Sequence, residues 1–514
     1  MRGLLAILHN MYTDSYETAR GYHKQKLPEY KCLLSSENLK EIFSSCGDYE
    51  NREIILGLEQ NIGLKICWLD GLVSGTAVAE EIIRPLTQAG RSPLVKSEQQ
   101  CLEYILLGAA YSYSAKERST MDELVNDLSH GHCAVILDGI NRAVTFEVRS
   151  SNVRSISEPT LEKSLKGAKD SFVETLRINT ALVRRRICSP KLKLVESSVG
   201  RKSKTRLSIM FMDGIADPAT VEELARRLDE LDVDALLATG TLEEYIVDSP
   251  RSPMPQLLHT ERPDRFAMQL MAGRVGLLVD GLPLGLILPA SLADFMRVTG
   301  DSCKNYMVAT ALTVLRYVSL LLAIFLPALY VAVAMYHQEM IPTRLLLSII
   351  EAKKNVPFST ALEIFSMLIA FELLQEAGLR LPNPIGDTVS IIGALIVGQS
   401  AVEAQVVSPI AIIVVATSGI ACYTLPSQDL GAVVRLLRLT LVIAALSGGL
   451  FGVGLVICLF LLHISSIDSF GLSYTAPMTD GRPFPLLRLL VQLPKSMDKY
   501  RDPNLNTPDK RRQK

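Results

Sequence analysis

Through about residue 300 the apolar positions come in short runs closed by Asp-Gly pairs. ICWLDGLVSG (66–75) is one, ending at Asp70-Gly71 and followed by the amphipathic stretch AVAEEIIRPLTQ. SIMFMDGIADPATVEELARRLDEL (208–231) repeats the order: an apolar strand, Asp213-Gly214, then a helix with Asp217 as N-cap and Pro218 in its first turn. CAVILDGINRAVTFEV (133–148) and VGLLVDGLPLGLILP (275–289) read as hairpins turning at Asp138-Gly139 and Asp280-Gly281, because Asp-Gly supplies the positive φ of a tight turn. The offsets are nearly equal, 143 residues from Asp70 to Asp213 and 142 from Asp138 to Asp280. Independent turns would rarely keep both spacing and flanks, so the pattern predicts two related α/β subdomains in tandem. The stretch between them, 157–186, is helix-compatible after Pro159 and ends in Arg184, Arg185 and Arg186, which reads as a solvated or partner-facing surface, with anionic lipid as an alternative contact.

After about residue 310 the apolar runs lengthen. Tyr317 to Tyr336, Ala404 to Gln428 and Leu439 to Leu462 are uncharged over 20, 25 and 24 residues, enough to cross a hydrocarbon core of roughly 30 Å. Lys304 and Arg316 precede the first, which by the positive-inside bias puts the front of the chain in the cytoplasm. Thr388 to Val402 is uncharged for only 15 residues, about 22 Å of helix, and is bracketed by Asp387 and Glu403. Ahead of it, Ala361 to Glu376 carries Glu363, Glu372 and Glu376, with Arg380 one turn beyond the last. A carboxylate at bilayer depth costs about 2.5 kcal/mol or more, so these groups should face water, polar partners or a protein interior. Pro382, Pro384 and Gly386 break the helix, and Gly386, Ser390, Gly393, Ala394, Ala401 and Ala404 form a stripe of small residues that permits close helix approach. Two arrangements fit this spacing. Residues 359–403 form a broken or re-entrant hairpin lining an aqueous path, or an amphipathic helix lies at the interface with an Arg380 ion pair and a short span follows. Charge does not settle the topology: the basic tail argues for a cytoplasmic C-terminus, whereas Arg435 and Arg438 before the last span would then face outward.

Composition agrees with a two-part chain. Of 514 residues 48% are hydrophobic, and the formal charge of -1 argues against a broad nucleic-acid footprint. The opening MRGLLAILHN is too brief an apolar run for a secretory leader, and nine cysteines without a CxxC pair suit a reducing compartment. His130, His132 and Cys133 in SHGHC introduce an apolar strand and lack a second ligand group, so no metal or other cofactor is expected. No P-loop, GxSxG, HExxH or phosphate-binding GxGxxG is present, and the expectation is a protein without catalysis.

From about Ser36 to Pro477 the chain resembles the A subunit of the GerA-type spore germinant receptors. The resemblance rests on SSENLKEIF, LDGLVSG, SEPTLE, SFVETLRINTALVRRR, TERPD (260–264), LPALYVAVAMYHQEMIPT (326–343), FELLQEAGLRLPNPIG (371–386), SIIGALIVGQSAVEAQVVSP (390–409) and SFGLSYTAP (469–477). It implies a multipass protein of the spore inner membrane that assembles with a transporter-like B subunit and a lipoprotein C subunit, senses nutrients, oligomerises and conducts monovalent ions. The family's QEAG-RLP-P-G segment falls on Gln375, Glu376, Ala377, Gly378, Arg380, Leu381, Pro382, Pro384 and Gly386. Polar pore candidates are thus Glu363, Glu372, Gln375, Glu376, Arg380, Asp387, Gln399 and Glu403, and packing or hinge positions Gly378, Pro382, Pro384, Gly386, Gly393 and Gly398. The chain departs from the family pattern at Lys166-Gly167, Asp170-Ser171, Ala404-Gln405 and Asp301-Ser302-Cys303.

The expected architecture is an N-terminal extension (1–35), an α/β subdomain (36–156), a linking helix (157–190), a second α/β subdomain (191–300), an all-α polytopic membrane domain (301–465) and an interfacial segment with a basic tail (466–514). A nutrient-gated cation channel subunit is the expected function. A non-conducting scaffold that assists dipicolinate release, as in the related sporulation stage V protein, is the alternative.

Overall fold

The structure, a computed structural model, describes residues 29–56, 62–89, 97–112, 114–150, 159, 162, 167–380, 398–479 and 489–513. The chain forms two compact units, the first built on one sheet and the second on another sheet together with the C-terminal helices.

In the first unit, helix α1 (Ser36–Ile42) precedes strands β1 (Tyr49–Leu56) and β2 (Ile62–Leu69). Residues 75–89 are helical, with a π-helical stretch at Val78–Ile83, where the amphipathic pattern predicted a helix. Then come β3 (Ala115–Arg118), α2 (Met121–Ser129), β4 (His132–Leu137) and β5 (Arg142–Glu147), in the sheet order β1-β2-β4-β5-β3. All of β4 is buried, as an uninterrupted apolar run in a central strand requires. His132 sets its Nδ1 3.0 Å from the Asp127 carbonyl. The β4–β5 turn is looser than expected: Asp138–Ile140 form a single 3-10 turn, and Asn141, not Gly139, takes the left-handed conformation at φ 52°. Asp138 is engaged elsewhere. Its carboxylate accepts from the Ser36 backbone N–H (2.8 Å) and hydroxyl (2.7 Å) at the start of α1, and pairs with Lys65 at 3.1 Å.

The second unit repeats this plan. Helix α3 (Leu176–Arg184) precedes β6 (Leu192–Val199) and β7 (Thr205–Met212); α4 (Pro218–Asp229) and α5 (Thr239–Ile246) follow, then β8 (Leu258–Thr260), α6 (Pro263–Ala272), β9 (Val275–Val279) and β10 (Gly285–Leu288). The strand order β6-β7-β9-β10-β8 is that of the first sheet, and β2–β4, β4–β5 and β3–β5 in the first sheet, like β6–β7, β7–β9, β9–β10 and β8–β10 in the second, pair antiparallel. Asp217 caps α4 with Pro218 at its start, as read from the sequence. Period-two alternation on β7 sends Leu207 and Ile209 to a core shared with Leu224 and Leu242, while Met210 and Met212 face a second core shared with Leu182 and Phe266. That second core continues into the C-terminal helices through Ala323, Ile364, Val415 and Leu441.

The linking helix is shorter than predicted, its described part starting only at Leu176. Asn179 holds both backbone groups of Val173, at 2.8 and 2.6 Å, and Asp280 accepts the Leu176 N–H at 2.9 Å, so the preceding backbone bonds to side chains instead of extending the helix. The basic helix end is also not a solvated surface. Arg184 is buried and grips Asp48 through two hydrogen bonds of 2.7 Å, Arg186 pairs with Asp170 at 2.5 Å, and only Arg185 of the three is exposed.

The C-terminal helices are α7 (Tyr306–Tyr336), α8 (Thr343–Lys353), α9 (Thr360–Arg380), α10 (Pro409–Tyr423) and α11 (Gln428–Ser465). Among the described residues two of them, α7 and α11, are long and apolar enough to cross a membrane. The run Ala404–Gln428 does not form one spanning helix: Gln405 has φ 56°, Ser408 and Pro409 start α10 anew, and its 15 residues reach about 22 Å. Helix α11 extends well ahead of the uncharged run, so Arg435 and Arg438 lie within it. It bends at Gly449, whose φ of 55° and ψ of −138° place its Cα against Tyr336; a Cβ there would sit 3.0 Å from that ring. The arginine ahead of the first span is neutralised, since Arg316 pairs with buried Asp301 at 2.5 and 3.0 Å.

Candidate functional site

Helix α9 draws on good helix formers, Ala, Leu, Glu, Met and Gln, and packs against α7, α10 and α11. Its two inner carboxylates meet different partners. Glu363 is fully buried: one oxygen lies 3.0 Å from Lys353 Nζ at the end of α8, and the other accepts the Ser408 backbone N–H at 3.0 Å. Ser408 is the N-cap of α10, so a negative charge sits where that helix presents its unpaired N–H groups.

Glu372, nine positions on, turns toward α11. Arg435 Nη1 lies 3.0 Å from one carboxylate oxygen and Arg438 Nη2 3.6 Å from the other. Arg438 is 4% exposed; its Nη1 donates to the Ser418 hydroxyl of α10 at 3.2 Å, and that hydroxyl donates to the Ala323 carbonyl of α7 at 2.9 Å. Four helices are thus joined through one carboxylate, two guanidinium groups and one hydroxyl. Glu372 itself retains 34% exposure. Of the other predicted residues, Gln375 and Gly378 are half-buried on α9, Glu376 is exposed, Gly398 is half-buried, and Gln399 and Glu403 are exposed. The Arg380 side chain and Pro382, Pro384, Gly386, Asp387 and Gly393 lie outside the described residues.

A second polar junction lies at the start of α11. His259 of β8 places Nε2 2.7 Å from Glu243 of α5 and Nδ1 3.1 Å from Asp429 in the first turn of α11. Burial pulls the imidazole down, but its bonds to Asp429 and Glu243 outweigh that and raise it to about 9.

Sequence reasoning found the acidic residues of α9 and missed their partners. Arg435 and Arg438 were visible as an i,i+3 pair facing the wrong way for an outer loop; that misfit was the signal that they face protein. Lys353, Ser408 and His259 gave no local signal, because each acts on a group 10, 45 or 170 positions away.

The sequence profile described as Bacillus/Clostridium GerA spore germination protein matches residues 37–504. The chain belongs to the GerA family. Relatives include Spore germination protein KA of Bacillus subtilis (strain 168), 35% identical over 93% of this chain and 87% of that protein. Uncharacterized membrane protein YfkQ of the same strain is 33% identical over 89% of this chain and 88% of that one. Spore germination protein GerLA of Bacillus cereus is 33% identical over 92% and 96%. The crystal structure of the N-terminal domain of the A subunit of the Bacillus megaterium spore germinant receptor GerK3 is 30% identical, covering 50% of this chain and 95% of that one, with a TM-score of 0.39.

Within this GerA-family chain, two of the motifs that carried the resemblance meet in the fold. Glu162 of SEPTLE accepts from the Thr260 hydroxyl of TERPD at 2.7 Å and pairs with Arg265 beside it.

Proposed function

We propose that the chain is the A subunit of a spore nutrient-germinant receptor, oligomerising in the spore inner membrane with its front in the cytoplasm and assembling with a transporter-like B subunit and a lipoprotein C subunit. In this reading α9 and the segment after it line a nutrient-gated path for monovalent cations. Glu363, Glu372, Gln375, Glu376, Arg380, Asp387, Gln399 and Glu403 are its polar groups, and Gly378, Pro382, Pro384, Gly386, Gly393 and Gly398 its hinge and packing positions. We assign no catalytic role.

The observation that carries this reading is Glu372, a carboxylate on a 21-residue helix among apolar helices, reached by two arginines yet about one-third exposed. A carboxylate among apolar helices needs a cation or water as partner, and this one meets two guanidinium groups while keeping an exposed face. Family membership supports the role in germination. The test is germinant-triggered potassium release from spores carrying Glu376→Gln at normal abundance, paired with conductance of the reconstituted chain with and without the B and C subunits. Altered release and measurable conductance are expected; normal release together with no conductance removes the pore role.

A second reading, a non-conducting scaffold that assists dipicolinate release, is favoured by the neutralisation of both Glu363 and Glu372 by cations in this conformation. An unchanged germinant response after deletion, with slower dipicolinate release, selects it.

A further inference from the structure

Helix α11 is fastened on two sides near its start. Asp429 bonds to His259 at 3.1 Å, and Arg435 and Arg438 reach Glu372 at 3.0 and 3.6 Å. Asp429 and Arg438 are nine positions apart, about 2.5 helical turns, and so project from opposite sides of the helix. One side therefore faces the second sheet and the other faces α9. Charge sharpens the point. Among the described residues, two guanidinium groups face one carboxylate and leave the cluster net positive, and the Arg438 Nε is buried without a hydrogen-bond partner among them. In this arrangement Glu372 cannot attract a passing cation, since its charge is already more than cancelled, and the extra positive charge repels one.

We propose that residues 428–438 of α11 form a resting-state latch: Arg435 and Arg438 withhold the Glu372 charge from the ion path, and the His259–Asp429 contact ties that segment to the second sheet. This inference rests on the conduction reading above and adds its regulation. Conduction requires Glu372 to leave the two arginines, and movement of β8 or α5 relative to α11 is the motion that can transmit release. Both contacts join one discrete element to two others, so displacement of that element is felt at both ends.

The test uses spores carrying the full receptor as their single receptor of this family, with potassium release measured before and after a rich mixture of amino acids, sugars and nucleosides. Arg435→Gln and Arg438→Gln are expected to raise release before nutrient several-fold, Glu372→Gln, which leaves both guanidinium groups unpaired, to lower release after nutrient, and Arg435→Glu combined with Glu372→Arg to return resting release toward the wild-type level. His259→Gln is expected to raise it as well. Immunoblotting fixes abundance, and Arg435→Gln, at a partly exposed position, stands in if Arg438→Gln fails to accumulate. Wild-type resting release in every accumulating latch variant, alongside a normal nutrient response of the wild type, overturns the latch and leaves the conduction reading intact. No response in any protein, wild type included, defeats the conduction reading and the latch with it. Raised resting release in the Arg435 and Arg438 variants but not in His259→Gln overturns the tie to the second sheet.

Discussion

Asp138 and Asp280 hold the same position in their two sheets, each receiving the first backbone N–H of the helix that precedes its sheet: Ser36 of α1 at 2.8 Å and Leu176 of α3 at 2.9 Å. The Asp-Gly pairs thus do more than turn the chain, since their carboxylates cap a helix that began about one hundred residues earlier. Asp280→Ala should cost about 0.5–2 kcal/mol, with Asp280→Asn costing less. Asp138→Ala should cost more, because it also removes the Lys65 ion pair and the Ser36 hydroxyl contact. Denaturant unfolding of the full chain in detergent measures both, and an Asp280→Ala protein as stable as the parent would dismiss the cap.

Asp48→Ala should destabilise by about 3–5 kcal/mol, because it strands the buried Arg184 guanidinium without its bidentate partner. Replacing both residues by apolar ones of similar volume, Asp48→Leu with Arg184→Met, should recover most of that loss. The comparison of single and double variants is the measurement; a double variant as unstable as Asp48→Ala would show that the pair contributes more than mutual neutralisation.

Raising the pH should weaken the His259 junction. The folded imidazole titrates near 9, above its ordinary 6.5, so the contribution of its contacts to Glu243 and Asp429 is complete below about pH 6.5 and is lost as pH rises through about 9. The melting temperature of the full chain should therefore fall more steeply between pH 7 and pH 10 (roughly the window these values bracket) in the parent than in His259→Gln. Identical slopes would exclude the junction as a source of pH dependence.

Gly276→Ala should destabilise by about 1–3 kcal/mol, since a Cβ there would overlap the Phe266 ring. That ring packs edge-on against Phe172 at 5.5 Å and is fully buried, so it has no free direction of retreat. The combination Gly276→Ala with Phe266→Leu should lose less than the two single costs added together, measured by thermal unfolding.

The repeated Asp-Gly spacing was legible because each sheet places one such pair at the end of its second strand and one between its two last strands, and the strand order shared by β1–β5 and β6–β10 is the tertiary form of that spacing. Asp217-Pro218 was legible for a related reason, as capping acts between residues two or three positions apart. Arg184 was misread as surface because a run of three arginines carries no mark of a partner 136 positions earlier. The run 404–428 was misread as one span because hydropathy counts charges and does not register where Gln405 and Ser408 redirect the backbone.

Local chemistry by itself determined the two-part plan, the duplicated order of strands and helices, the helix start at Asp217 and the presence of carboxylates among apolar helices, since periodicity, turn geometry and transfer cost are all set within a few neighbouring residues. Only the tertiary structure decided what neutralises those carboxylates. Lys353 takes Glu363 and Arg435 takes Glu372, because the pairing of buried charges depends on which helices touch, and that is fixed by the packing of surfaces far apart in the chain.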